Sequence, residues 1–164
     1  MRKSYWLLDT RLTVLASAVE TGGRYDLVEG WFPVAAQVPL HRHGRYSEQL
    51  YVLDGEFTIW TSGRKVVLRP GDDLVIPVGT AHALAVTGDE PGRVLIVTSP
   101  SGFARLITKA GTPAAEAPTP TDMDLLLRLS AELGDEILGP PVPCSTDEPE
   151  IGRFASTCPL QNSH

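Results

Sequence analysis

The chain has 164 residues, of which 42% are hydrophobic and 21% charged, enough for one globular domain with its own core and short for two. Its net charge is −6, and its Lys/Arg groupings stop at the pairs Arg2-Lys3 and Arg64-Lys65, so no basic surface for nucleic acid is expected. No run approaches the roughly 20 apolar residues that span a bilayer. Asp9 and Arg11 break the apolar stretch that a signal peptide would need. These features predict a cytoplasmic protein with no nucleic-acid or membrane partner.

From about Leu12 to Thr98 the chain reads as short strands rich in Val, Leu, Ile, Tyr and Trp, such as "RYDLVEGWFPV", "SEQLYVLDG", "EFTIWTSG" and "RVLIVTS". The breaks between them fall at Gly22-Gly23, Asp54-Gly55, Ser62-Gly63, Pro70-Gly71 and Pro91-Gly92. Short strands with regular punctuation predict an all-β sandwich or barrel, and Asp54-Gly55 predicts a hairpin turn. Helical patterns begin only after Pro100. "SGFARLITKAG" places Phe103, Leu106, Ile107 and Ala110 on one face, with Ser101 as N-cap and Gly111 as stop. After the Pro/Ala-rich connector "TPAAEAPTPT", the stretch "TDMDLLLRLSAELG" predicts a second helix. Thr121 is its expected cap, Met123, Leu126, Leu127, Leu129 and Leu133 its apolar side, and Gly134 its end. Residues 1–100 are therefore expected to form the β domain, with its core at about 30–99. Residues 101–141 are expected to form a helical segment and 142–164 a flexible tail. The two cysteines, Cys144 and Cys158, both fall in that tail and read most simply as free thiols.

One stretch carries chemistry. In "HRHGRYSEQLYVLDGEF", His41 and His43 lie two apart, so an extended backbone puts both on one face. A neighbouring strand could bring Glu48 beside them. Two imidazoles and a carboxylate suit a divalent transition metal, and a fourth ligand must come from elsewhere. His82 stands after the turn residues Pro77 and Gly79, at the head of a strand, whereas His164 is the last residue of the tail. Taken singly, His-x-His reads as an exposed pair, Glu48 as a solvated charge and His82 as a strand-end hydrogen-bonding residue. Together, within a β-rich domain, they point to a metal site.

These residues resemble the two cupin motifs. His41, His43, Glu48 and Gly55 match the first, and Gly71, Pro77, Gly79 and His82 the second. Ala35 stands where the family often has Gly, and Val86 where it often has Asn. The C-terminal stretches "PSGFARLITKAGTP" and "LSAELGDEILGPP" look like the helical ends of small bacterial quercetinase-like cupins. The resemblance implies a small antiparallel β-barrel of the jelly-roll kind, with C-terminal helices and a metal held inside by His41, His43, Glu48 and His82. It also implies a second role for Glu48 as catalytic base, and a homodimer. The metal is an iron, manganese, nickel, cobalt, copper or zinc ion, since the ligand types suit all of them. No organic cofactor is expected.

Residue parity suggests pocket walls of Leu50, Val52, Leu84 and Val86, with Trp31, Tyr46, Phe57 and Ile59 near in sequence. Such walls suit a mostly apolar small molecule. The expected function is a metal-dependent oxidoreductase, a dioxygenase acting with dioxygen on a small aromatic, phenolic or enolic substrate. The alternatives are a metal-dependent isomerase, cyclase or lyase on a polyketide-like or keto-acid substrate, and a non-catalytic binding protein. One fold hosts all three.

Overall fold

A computed structural model of the chain describes residues 2–116 and 118–141. The expected tail, with Cys144, Cys158 and His164, lies outside the described residues. In chain order the elements are β1 (Lys3–Leu7), β2 (Thr10–Ala16), the single turn α1 (Ala18–Thr21), β3 (Asp26–Phe32), β4 (Gln37–His43), β5 (Ser47–Asp54), β6 (Phe57–Thr61) and β7 (Arg64–Leu68). They continue with β8 (Asp73–Ile76), β9 (His82–Val86), β10 (Gly92–Ser99), α2 (Phe103–Ala110), the two-residue β11 (Thr112–Pro113), α3 (Met123–Leu133) and β12 (Asp135–Gly139). No described helix is long and apolar enough to cross a membrane.

The strands form two antiparallel sheets, ordered β11-β1-β2-β3-β10-β5-β8 and β12-β4-β9-β6-β7. Strands such as β3 and β10 alternate buried and less buried residues, the period-two pattern of a sheet with one face in a core. The buried faces meet in one cluster that joins Val28, Phe32, Leu50 and Val52 of the first sheet to Phe57, Ile59, Leu84 and Val86 of the second. Phe32 and Phe57 meet edge to face at 5.4 Å, a favoured aromatic geometry. The sheets do not close into one continuous hydrogen-bonded barrel; they are the two halves of a jelly roll.

Turn chemistry explains several connections. Ser62 and Gly63, both at positive φ, join the paired strands β6 and β7 as a two-residue loop of the kind hairpins favour. Asp54-Gly55 does something else. β5 pairs with β10 and β8, whereas β6 pairs with β7 and β9, so this turn carries the chain from one sheet to the other and is not a hairpin. Gly55 has φ 77°, and a Cβ there would lie 2.6 Å from the Pro91 carbonyl oxygen. Ala35 has φ 61°, so the alanine that replaces a frequent glycine still takes the left-handed conformation.

The C-terminal region differs from its expected form in three ways. First, α2 begins at Phe103, with Gly102 rather than Ser101 at its N-cap. Its cap comes from far away: the Asp26 carboxylate accepts from Gly102 N–H at 2.7 Å and Ala104 N–H at 2.9 Å. Second, α3 is capped by Asp122, whose side chain accepts from Leu125 N–H, while Thr121 accepts from Leu8 N–H. Leu126 and Leu129 are buried, but Met123 and Leu127 face solvent. Third, Gly134 does end α3, in the left-handed conformation, and the chain then enters a strand. That strand, β12, pairs with β4. The N-terminal β1, also unforeseen, pairs with β2 and β11. Both ends of the described chain thus extend the sheets around the central strands.

Candidate metal centre

β4 supplies two of the four expected ligands. The β4–β9 register slips by one residue between Val38 and His41, a bulge of the kind that re-aims side chains. It sets His41 opposite His82, the first residue of β9. Glu48 projects from β5, in the facing sheet. One ligand atom from each of His41, His43, Glu48 and His82 lies within 4.8 Å of the others. His43, Glu48 and His82 are buried, and His41 is partly so.

Hydrogen bonds behind the rings fix their orientation. His41 Nδ1 lies 2.7 Å from the Pro39 carbonyl oxygen, and His82 Nδ1 lies 3.0 Å from that of Thr80. His43 Nδ1 lies 3.0 Å from Asp135 Oδ1. A carbonyl or carboxylate oxygen can only accept, so each Nδ1 carries a proton and each Nε2, facing the common centre, is the atom left to ligate a metal. Such bonds behind a metal-binding imidazole set its tautomer and raise its basicity.

The site also fits a cation by what it lacks. His43 Nε2 is buried and has no hydrogen-bond partner. Its nearest carboxylate oxygen, Glu48 Oε2, is 3.5 Å away, beyond a well-formed hydrogen bond. Glu48 Oε2 lies 3.0 Å from His82 Nε2. Buried polar atoms seldom go unpaired, and three imidazole nitrogens and a carboxylate facing one point are a donor set for a divalent transition metal. The cluster could therefore bind such an ion.

The charges agree with this arrangement. Burial opposes ionisation of Glu48, but the neighbouring rings of His43 and His82 outweigh it and hold the carboxyl well below its ordinary range. Burial likewise opposes the charged ring of His43, yet Asp135 and Glu48 push it up to about 9. His41 goes the other way, lowered to about 4 by burial and by the neighbouring His82 ring. Metal-free, the cluster thus keeps a proton on His43 that neutralises Glu48. A metal would take that proton's place.

Asp135 is the residue that the sequence did not reveal. It is the first residue of β12 and the cross-strand partner of His43. Its Oδ2 accepts from the Tyr46 hydroxyl at 2.7 Å, and the Tyr46 ring stacks on His43 at 4.5 Å. Burial and the charge of Asp135 raise the Tyr46 phenol above its usual range, so it stays a donor. A signal was present in "LGDEILG": an acid directly after a glycine helix stop, opening a short apolar run.

The expected pocket walls separate into two groups. A cavity of about 120 Å³ lies against His41, His43 and Glu48. Of the eight side chains expected around it, Leu84 alone lines it. Leu50, Val52, Phe57, Ile59 and Val86 face inward but belong to the packed core. Tyr46 supports His43 from behind. Trp31 meets Trp6 edge to face at 6.4 Å, away from the cavity. The actual walls include Leu7 and Leu12 of the N-terminal hairpin, Phe103 and Leu106 of α2, and Leu126 of α3.

Comparison with known proteins agrees with the fold. Residues 31–98 match the cupin domain family. The chain is 33% identical to quercetin 2,3-dioxygenase of Bacillus subtilis over 70 residues, 43% of this chain and 21% of that protein. It is 29% identical over 79 residues to an uncharacterized protein of Methanocaldococcus jannaschii, 48% of this chain and 63% of that one. The match thus spans less than two thirds of either relative. Among solved structures, KdgF from Halomonas sp. aligns with a TM-score of 0.51 at 26% identity, covering 56% of this chain and 78% of the other. A predicted oxalate decarboxylase from Thermotoga maritima aligns with a TM-score of 0.54 at 24% identity, covering 56% and 80%. With both motifs gathered into one site on a jelly roll, residues 31–98 form a cupin domain.

Proposed function

We propose that the protein is a metal-dependent dioxygenase acting on a small aromatic, phenolic or enolic molecule. The observation that carries this reading is the convergence of three imidazole Nε2 atoms and the Glu48 carboxylate beside an apolar cavity. The likeness to a quercetin dioxygenase supports oxygen chemistry. Because the match spans 21% of that protein, it supports the reaction type and leaves the substrate to be read from this chain's own cavity.

A divalent transition metal held by His41, His43, Glu48 and His82 supplies Lewis acidity and, for a redox-active ion, a route for electrons to dioxygen. The chain's residues do the rest. The backbone carbonyls of Pro39 and Thr80 and the carboxylate of Asp135 keep the three rings aimed at one point. Glu48 stays ionised at neutral pH and stands where a substrate hydroxyl would enter, so it can ligate and can accept that hydroxyl's proton. Leu7, Leu12, Phe32, Leu84 and Ile96 give the rest of the cavity apolar walls.

Oxygen uptake by protein loaded with one defined metal tests the reading, using enolic and phenolic substrates with and without air. Consumption of one dioxygen per substrate is the expected result. Turnover that persists unchanged without oxygen would point to an isomerase, cyclase or lyase, and binding without turnover to a ligand-binding protein.

A further inference from the structure

The three candidate imidazole ligands are backed unequally. Behind His41 and His82 stand neutral backbone carbonyls, those of Pro39 and Thr80. Behind His43 stands the carboxylate of Asp135, whose Oδ1 accepts from His43 Nδ1 at 3.0 Å. Asp135 and His43 are both buried, so salt screens this charge weakly. Hydrogen bonds to an ionised acceptor are roughly twice as strong as neutral ones, and such a bond behind a ligating imidazole raises the basicity of the ring. His43 is therefore the strongest electron donor of the three rings.

Tyr46 tempers that donation. Its hydroxyl donates to Asp135 Oδ2 at 2.7 Å, so the carboxylate divides its charge between a phenol and an imidazole. The Tyr46 ring lies on the His43 ring with centroids 4.5 Å apart. Strand register fixes the set. Asp135 stands opposite His43 in the β12–β4 pairing. Beside it, the Gly134 carbonyl accepts from Gly44 N–H at 2.9 Å, and a Cβ on Gly44 would lie 2.5 Å from that oxygen.

Charge shows which way the carboxylate acts. With neutral rings, Glu48 and Asp135 together cancel the charge of a divalent ion, and a trivalent ion leaves a single positive charge in the buried cluster. Without Asp135 each of these states is more positive by a full charge. The attraction of a fixed charge grows in proportion to the charge of the ion. A carboxylate worth about 10–100-fold in affinity for the divalent ion is then worth roughly 30–1,000-fold for the trivalent one. The ratio of the two affinities shifts by roughly three- to tenfold, or about 30–60 mV for one electron.

We propose that Asp135, acting through His43 as a positioning residue, sets the reduction potential of the metal centre by favouring the more highly charged ion, and that the Tyr46 hydroxyl limits how far it does so. The inference rests on the metal-dependent reading above and deepens it, from which residues hold the ion to how readily the ion gives up an electron.

The test is the one-electron Fe(III)/Fe(II) potential of iron-loaded full-length protein, with a mediator supplying and accepting the electron. Asp135→Asn should raise the potential by about 30–60 mV. Tyr46→Phe keeps the stacked ring and leaves Asp135 to serve His43 alone. It should lower the potential by at least about 10 mV, a change of about 1.5-fold in the affinity ratio. A merely structural role would not move the two variants in opposite directions. Should Asp135→Asn lose its iron, Tyr46→Phe still decides, together with the Nδ1 proton resonances of zinc-loaded protein. That of His43 is expected furthest downfield of the three rings, and further still in Tyr46→Phe. Shifts of the same sign in both variants, a Tyr46→Phe potential that rises or stays within about 10 mV, or a His43 resonance level with those of His41 and His82 would overturn the proposal. The dioxygenase reading fails separately. Opposed shifts with no oxygen uptake refute the dioxygenase alone, and oxygen uptake without opposed shifts refutes the tuning alone.

Discussion

Replacing Asp135 with asparagine removes a charge from behind the metal centre while keeping its shape. In the native chain, Oδ1 takes the His43 Nδ1 proton at 3.0 Å and Oδ2 takes the Tyr46 hydroxyl at 2.7 Å, and the residue is 8% exposed. An asparagine offers one acceptor oxygen for these two donors. If the oxygen serves Tyr46, the amide NH₂ faces His43 and drives its proton to Nε2, away from the tautomer that can ligate. If it serves His43, the bond is no longer charge-assisted. A hydrogen bond to a charged group is worth about 1.5–3 kcal/mol, and loss of a partner behind a metal-ligating histidine costs about 10–100-fold in metal affinity, or roughly 1.4–2.7 kcal/mol. The two estimates agree. Asp135→Asn should therefore weaken metal binding by about 10–100-fold, measured by chelator competition, while circular dichroism still shows the native β spectrum. Tyr46→Phe, which leaves Asp135 its bond to His43, should cost less than tenfold. An Asp135→Asn protein that holds metal within twofold of the native affinity would refute the idea that β12 orients His43.

Three further outcomes follow from particular groups. Metal-free protein should be most stable near pH 6.5. His43 titrates at about 9 when folded, so its contribution, on the order of 3 kcal/mol, is full below pH 6.5 and disappears as pH rises through 9. His41 titrates at about 4, so stability also falls as pH drops from 6.5 toward 4. Thermal melts in chelator across pH 4–10 check this, and a midpoint that rises between pH 7 and 9 contradicts it. Glu48→Gln should retain metal with weakened affinity and lose turnover by at least about 100-fold, the usual scale of a general acid–base contribution; unchanged turnover would remove Glu48 from the chemistry. Ala35→Gly should stabilise the fold by up to about 1 kcal/mol, because relief of the left-handed strain exceeds the added flexibility of the unfolded chain. A loss of more than about 1 kcal/mol in urea unfolding would contradict the left-handed turn.

The four candidate ligands were legible because each obeys a local rule. His41 and His43 share a strand face by their spacing, and His82 follows a turn marked by Pro77 and Gly79. Asp135 obeys no such rule. It reaches His43 across 92 positions of sequence, through a β12–β4 pairing that periodicity does not forecast. The same limit explains the pocket. Parity shows correctly that Leu50, Val52 and Val86 point inward, but it does not say how deep along a strand the core ends and the cavity begins. That boundary is drawn by Phe103, Leu106 and Leu126, which arrive from two helices, the first of them held by a distant carboxylate, Asp26. The misread hairpin at Asp54-Gly55 has a similar cause. Asp-Gly marks a tight turn, and only the partners of β5 and β6 show that it crosses between sheets.

His41, His43, Glu48 and His82 are proposed to form one metal site. Elemental analysis of the purified protein after loading and removal of free metal tests it most directly, with His43→Ala and His82→Ala measured beside the native chain. The expected result is one divalent transition-metal ion per native chain and less than one tenth of that in either variant, with the β spectrum preserved in both. Metal content equal to the native value in both variants would show that the ion is held elsewhere and that the four residues are not its site.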